Sequence, residues 1–174
     1  MSMEFFAYPW MRLFFEEDEN KYKISHMNGA LTFIPYGVCV DHFQHLVYEN
    51  PNVTPEERKK MWKQCEKLYT PWRNMEGMPM YEKGAFWFNQ PHIFSSPFYY
   101  IDYTLAQVCA LEFYLDSLEN RKDAWDRYVK LCKLGGSKSF LELIQAVDIH
   151  NPFVDGSIQN IVNRLLPVIE EIKL

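Results

Sequence analysis

Apolar residues along this chain recur mostly at intervals of three and four, the spacing that lines one side of a helix. The clearest case follows Pro97, where Leu105, Val108, Leu111, Leu115 and Leu118 make a single stripe. Between Lys21 and Tyr48 the spacing is again helical but is interrupted by Pro35-Tyr36-Gly37. That interruption predicts two helices, or one broken helix. Thr54-Pro55-Glu56-Glu57 supplies an N-cap, a proline at the first helical position and acidic residues where the helix dipole favours them. A helix from there should run to about Tyr69.

The remaining stretches carry their own start and stop signals. Ser2-Met3-Glu4 opens a segment that reaches to Glu17, with Pro9 placed to kink or break it. The tract from Pro71 to Pro91 holds Gly77, Pro79 and Gly84 amid methionines and aromatics, and reads as an irregular loop with a short turn of helix. Two further helices are predicted near Lys122–Leu134 and Ser139–Val147, the first stopped by Gly135-Gly136, and Asn151-Pro152 marks another turn. Asp155-Gly156-Ser157 opens a last amphipathic helix carrying Ile158, Ile161, Val162, Leu165, Leu166 and Ile169, with Pro167 as a kink. Nearly the whole chain is predicted to be helical.

Length and composition narrow the picture. The 174 residues suffice for one domain with a real core, and no repeat or Ser/Gly linker divides them, so residues 1–174 read as a single helical domain. An apolar fraction of 48% with 24% charged residues is that of an ordered globular protein. The net charge of −5 offers no basic field for a phosphate backbone, which argues against a nucleic-acid partner. No apolar run approaches the ~20 residues that span a bilayer, and the first residues lack the order of a secretory signal. The expectation is a soluble, cytoplasmic chain without a membrane partner. Cys39, Cys65, Cys109 and Cys132 form no Cys-x-x-Cys pair and are read as buried free thiols.

Aromatic residues make up 17% of the chain and are clustered, as in Tyr8-Pro9-Trp10 and Phe98-Tyr99-Tyr100, which suits a packed core or the wall of a cleft. Tyr100 and Tyr103 are three positions apart and Tyr99 and Tyr103 four, so either pair would share a helix face. On composition alone such tyrosines belong to a core more often than to a site. His42 and His45 have a spacing that permits metal binding, with Glu49 one turn beyond, but no third ligand is specified. His26 and His150 are isolated, and neither is assigned a role. Glu16-Glu17-Asp18-Glu19 reads as a solvated loop.

One tract is long and unusual in composition: His92-Ile93-Phe94-Ser95-Ser96-Pro97-Phe98-Tyr99-Tyr100-Ile101-Asp102-Tyr103, followed by Leu105-Ala106-Gln107. It resembles the substrate-binding signature of the oligoendopeptidase F family of zinc metallopeptidases. Ser2-Met3-Glu4-Phe5-Phe6, Phe33-Ile34-Pro35-Tyr36-Gly37-Val38-Cys39-Val40-Asp41 and Asn151-Pro152-Phe153-Val154-Asp155-Gly156 resemble the same family, so the likeness covers essentially the whole chain. It implies a mainly α fold, the helical C-terminal lobe of a zincin-like, two-lobed oligopeptidase.

In that family a His-Glu-x-x-His helix and a glutamate on a following helix hold the zinc. This sequence contains no His-Glu-x-x-His, and the resemblance places the third ligand just upstream of Met1. The chain is therefore expected to bind no metal and to be inactive alone, zinc belonging to the intact enzyme. The resemblance further implies that Tyr103 donates to the oxyanion, that Tyr100 and His92 bond the backbone of an oligopeptide substrate, and that Tyr99 stands in reserve for Tyr100. Glu4 would lie behind the zinc ligands and orient them, unless it serves only as a helix-start carboxylate. The missing N-terminal part of the enzyme is the implied partner, and self-association through exposed apolar surface is expected. The alternative is a non-catalytic module that binds peptide or a partner.

Overall fold

The structure, a computed structural model, describes residues 1–172. In chain order the α-helices are α1 (Ser2–Phe6), α2 (Arg12–Phe15), α3 (Glu19–Glu49), α4 (Pro55–Tyr69), α5 (Pro79–Glu82), α6 (His92–Ser95), α7 (Ile101–Glu119), α8 (Arg121–Leu134), α9 (Phe140–Ala146) and α10 (Ser157–Glu171). Short 3₁₀ turns at Tyr8–Trp10, Glu16–Asp18 and Phe86–Asn89 complete them, and no strand occurs among the described residues.

Local chemistry explains most of the boundaries. Pro9 sits in the first turn of a 3₁₀ segment and separates α1 from α2, as its ring requires. The Thr54 side chain accepts from the backbone N–H of Glu57 while the Glu57 carboxylate accepts from the Thr54 N–H, a complete capping box at the start of α4. Ser139 and Glu142 repeat the device on α9, and Asn120 caps α8. Ser2, by contrast, makes no cap: Met1 occupies that position without a side-chain bond.

Two expectations fail for packing reasons. Pro35 lies inside α3 without dividing it. The lost N–H costs roughly 3 kcal/mol in an isolated helix, but Phe33, Tyr36, Cys39, Val40 and Phe43 on the same helix all join one core. Gly37 is not a stop signal either. A Cβ there would lie 1.8 Å from Thr104 Oγ1, so the glycine lets α3 approach the start of α7. The stripe drawn on α7 was too narrow: Val108 through Leu115 are all buried, while Leu118 is exposed.

The chain forms two compact units, residues 1–28 with 105–174, and residues 29–104. In the first, Phe6, Cys109, Phe113, Ala124, Ile144, Val147 and Ile149 make the core, joined by Tyr128, Leu131 and Phe140. Asp116 on α7 accepts from Arg127 of α8 and Arg164 of α10, each at 2.8 Å, which ties three helices together. Glu112, almost wholly buried, is satisfied by the backbone N–H of His150 at 3.0 Å and by its ring nitrogen.

The second unit is built on α3 and α4. Cys39, Val40, Phe43, Trp62, Cys65, Trp87 and Tyr100 form its core. Trp62 and Phe43 meet edge to face at 5.2 Å, and Phe43 meets Trp87 at 5.1 Å. Where an irregular loop was expected, Gly84 adopts φ +86 with Lys59 O pressed against its open side, and the chain turns into the 3₁₀ segment that seats Trp87. Three of the four cysteines are buried thiols as read, but Cys132 is exposed.

Candidate functional site

The residues singled out in the His92–Tyr103 tract come together within the second unit. Pro91 caps α6, and Ser96 ends it after a single turn. Phe98 then takes φ 62, the left-handed region that a bulky side chain rarely occupies. Its ring is held between His45 at 4.9 Å and Tyr48 at 5.0 Å. That reversal delivers Tyr99 and Tyr100 to the start of α7 and folds His92 back toward Tyr103.

The His92 ring lies 6.2 Å from Tyr99, 5.4 Å from Tyr100 and 5.6 Å from Tyr103, centroid to centroid. Its Nε2 is 3.5 Å from the Tyr103 hydroxyl. Tyr99, just ahead of α7, and Tyr103 on its first turn meet edge to face at 5.3 Å. The two adjacent tyrosines differ in access: Tyr99 is 46% exposed and Tyr100 only 9%, packed against Phe33 and Tyr36. Burial raises the Tyr100 phenol above its ordinary value. Tyr103 is raised as well, first by hydrogen bonding with Tyr99 and then by burial and the charge of Asp102. Tyr100 and Tyr103 therefore hold their protons at neutral pH and are hydrogen-bond donors.

Behind His92 stand two residues that sequence reasoning did not single out. Gln90 Nε2 is 2.9 Å from His92 Nδ1, and Gln90 Oε1 accepts from the Tyr36 hydroxyl at 3.2 Å. The Tyr36 ring is covered by the Arg73 guanidinium, 4.6 Å from its centroid. Tyr36 lies 54 positions from Gln90, so no local spacing could have paired them. A cavity of 590 Å³ in the same unit is lined by Lys63, Glu66, Arg73, Tyr81 and their neighbours and takes in none of the four signature residues.

Glu4 lies in the first unit. Its Oε2 is 2.9 Å from the Met1 amino group and 3.5 Å from His26 Nε2. The amino terminus above all, with His26 adding to it, holds this carboxyl below the usual carboxylate range. His26, to which the sequence assigned nothing, shares its Nδ1 with the Tyr8 hydroxyl at 2.7 Å and stacks on Tyr22. A carboxylate, an imidazole and a buried phenol are thus joined in a row.

His42 and His45 do not converge. His42 Nδ1 faces the Tyr69 hydroxyl at 3.0 Å, and His45 Nε2 faces Asp41 at 3.4 Å. Among the described residues there is no group of three or more His, Cys, Asp or Glu able to hold a metal ion. None of the described helices is long and apolar enough to cross a membrane.

The profile of peptidase family M3 matches residues 1–162. An oligoendopeptidase F homolog of Borreliella burgdorferi is 40% identical over 85 residues, which is 48% of this chain and 14% of that protein. A solved structure assigned as an oligoendopeptidase F superposes on 99% of this chain with a TM-score of 0.95 and 50% identity. PZ peptidase A with an inhibitor superposes on 99% with a TM-score of 0.94 and the same identity. This chain spans only 30% and 31% of the lengths of those two structures.

Proposed function

The chain belongs to peptidase family M3, and on that premise we propose that it is the C-terminal, substrate-binding part of a zinc oligoendopeptidase whose intact form cleaves internal bonds of short peptides. The observation that carries this reading is the convergence of His92, Tyr99 and Tyr103 around one point of the second unit. A peptide laid there meets protonated phenols and an imidazole, donors of the kind its carbonyl oxygens need.

In this reading Tyr103 donates to the carbonyl oxygen as it takes on negative charge, the interaction that lowers the barrier because it strengthens in the transition state. His92 and the accessible Tyr99 hold the peptide backbone, and Tyr100, more deeply seated, fixes the rings around it. The described residues do not fit a zinc site of their own. In this reading the metal ligands of the intact enzyme are supplied from outside this sequence, and Glu4, with His26 behind it, would brace them.

Apolar surface supports a further part of the same proposal. Leu13 is 76% and Phe14 73% exposed, and Met3, Phe6, Ala7, Trp10, Arg121 and Trp125 line an apolar groove of 390 Å³ in the first unit. These are surfaces for the remainder of the enzyme, and without it they favour self-association. A second reading, a non-catalytic peptide-binding module, draws on the lack of a metal-ligand group among the described residues.

Zinc content and cleavage of a fluorogenic oligopeptide, measured on this chain and on one extended upstream through a metal motif, separate the readings. Zinc and activity in the extended chain alone support the severed-site proposal. Peptide binding without cleavage in both supports the module. Stoichiometric zinc in the 174-residue chain would overturn the proposal.

A further inference from the structure

A neutral imidazole carries one proton, and the nitrogen that holds it decides whether a site has a donor or an acceptor there. For His92 that choice is not made by the ring itself. Its Nδ1 faces the Gln90 carboxamide nitrogen at 2.9 Å, and a carboxamide nitrogen only donates. Nδ1 must then accept, and the proton is left on Nε2, the nitrogen turned toward Tyr103.

The orientation of the carboxamide is fixed one step further back. Burial raises the Tyr36 phenol well above its ordinary value, so it keeps its proton and needs an acceptor. Gln90 Oε1, at 3.2 Å, is the acceptor it has. Reversing the carboxamide would set an N–H against that hydroxyl and leave the Tyr36 proton without a partner among the described residues. Arg73 over the Tyr36 ring, and Phe86 and Tyr100 at its edges, hold the phenol in place.

We propose that Tyr36 and Gln90 are positioning residues that hold His92 in its Nε2–H tautomer, so that the ring presents a donor to Tyr103 and to a peptide carbonyl. The proposal rests on the peptide-binding reading above and deepens it. Tyr36 O–H donates to Gln90, Gln90 N–H to His92, and His92 Nε2–H to the Tyr103 oxygen, which leaves the Tyr103 proton for the Tyr99 oxygen or for an entering carbonyl. Each bond in such a chain polarises the next, so the last donor is a better one than an isolated phenol. When a peptide enters, the same Nε2–H is available to its carbonyl without any change of tautomer.

The test is a two-bond proton–nitrogen correlation spectrum of the full chain with ¹⁵N-labelled histidine, His92 being assigned by loss of its signals in His92→Asn. The rings are kept neutral by working well above the usual histidine range. The expected wild-type result is a proton on Nε2. Gln90→Glu, which replaces the donating nitrogen by an accepting oxygen of the same shape, should move the proton to Nδ1. Tyr36→Phe, which lets the carboxamide turn, should give a mixture, and it serves as a second route should the Glu variant fold poorly. A merely structural Gln90 would leave the tautomer unmoved.

His92 protonated on Nδ1 in the wild type, or on Nε2 in Gln90→Glu, would overturn the proposal. Fluorescence titration of the same samples with a short oligopeptide keeps the two readings apart. A tautomer that switches as expected in a chain that binds no peptide supports the positioning role and counts against the peptide reading alone.

Discussion

His92 Nε2 and the Tyr103 hydroxyl, 11 positions apart in the chain, stand 3.5 Å from one another across the turn that Phe98 makes. The distance is long for a hydrogen bond and of the kind that tightens when a substrate closes on it. It places the two donors of the site at one point while leaving room for a carbonyl oxygen between them and solvent.

Replacing Tyr103 by phenylalanine removes the hydroxyl and little else, since the ring contacts with His92, Tyr99 and Tyr100 do not need it. In the intact enzyme kcat should fall by roughly 100- to 1,000-fold, the usual cost of one oxyanion donor, with KM nearly unchanged. Steady-state kinetics on a fluorogenic peptide read both. A rise in KM at constant kcat would instead make Tyr103 a binding residue.

Tyr99 and Tyr100 should separate in the same assay. Tyr99 is the exposed member of the pair, so Tyr99→Phe should raise KM severalfold without a change in thermal stability. Tyr100→Ala should do the reverse and cost stability first, about 3–5 kcal/mol as for other buried aromatic truncations. Chemical denaturation beside the kinetics distinguishes them.

Gly37→Ala adds one methyl group where Thr104 Oγ1 is already 1.8 Å from the new carbon. Either α3 or the start of α7 must shift, at a cost of about 1–3 kcal/mol. Pairing it with Thr104→Gly should restore part of the loss, and a double-mutant cycle in urea measures the coupling.

The two capping boxes predict a pH dependence. Backbone and side-chain bonds from Thr54 hold the Glu57 carboxyl below its ordinary value, and bonds from the Ser139 side chain and backbone do the same for Glu142. A carboxyl whose folded pKa is depressed contributes its stabilisation above the unfolded pKa and loses it as pH falls through the folded one. Both helix starts should therefore fray from the ordinary glutamate pKa of about 4.3 downward. Amide exchange at Glu57 and Glu142 checks the window, and Thr54→Ala, which removes one cap for about 1 kcal/mol but keeps the backbone N–H bond to Glu57, should weaken it for α4 alone.

Helices whose ends are set by neighbours in the chain were readable in advance. Thr54, Pro55 and Glu57 announce α4, and Ser139 with Glu142 announces α9, because a cap is a bond between residues three apart. Pro35 and Gly37 misled for the opposite reason: their meaning lies in what α3 packs against, and Thr104 is 67 positions away by number. The cluster of His92, Tyr99, Tyr100 and Tyr103 was legible because it occupies one short tract. Gln90 beside it passed unnoticed, since nothing in a lone glutamine says which ring its amide will face. Tyr8 and His26 were likewise silent, being brought together only by the return of the chain between α1 and α3.

The burial of three cysteines gives each unit an internal clock. Burial pushes the Cys65 thiol up to about 11 and Cys109 to about 12, and Cys39 higher still, so none of the three reacts until its surroundings open. Cys132 alone is exposed and reacts with a disulfide reagent at once. The slower thiols then appear as their own regions breathe, Cys39 and Cys65 with the unit that carries His92 and Cys109 with the other. Counting them against time would tell which half of the chain loosens first, without altering a single residue.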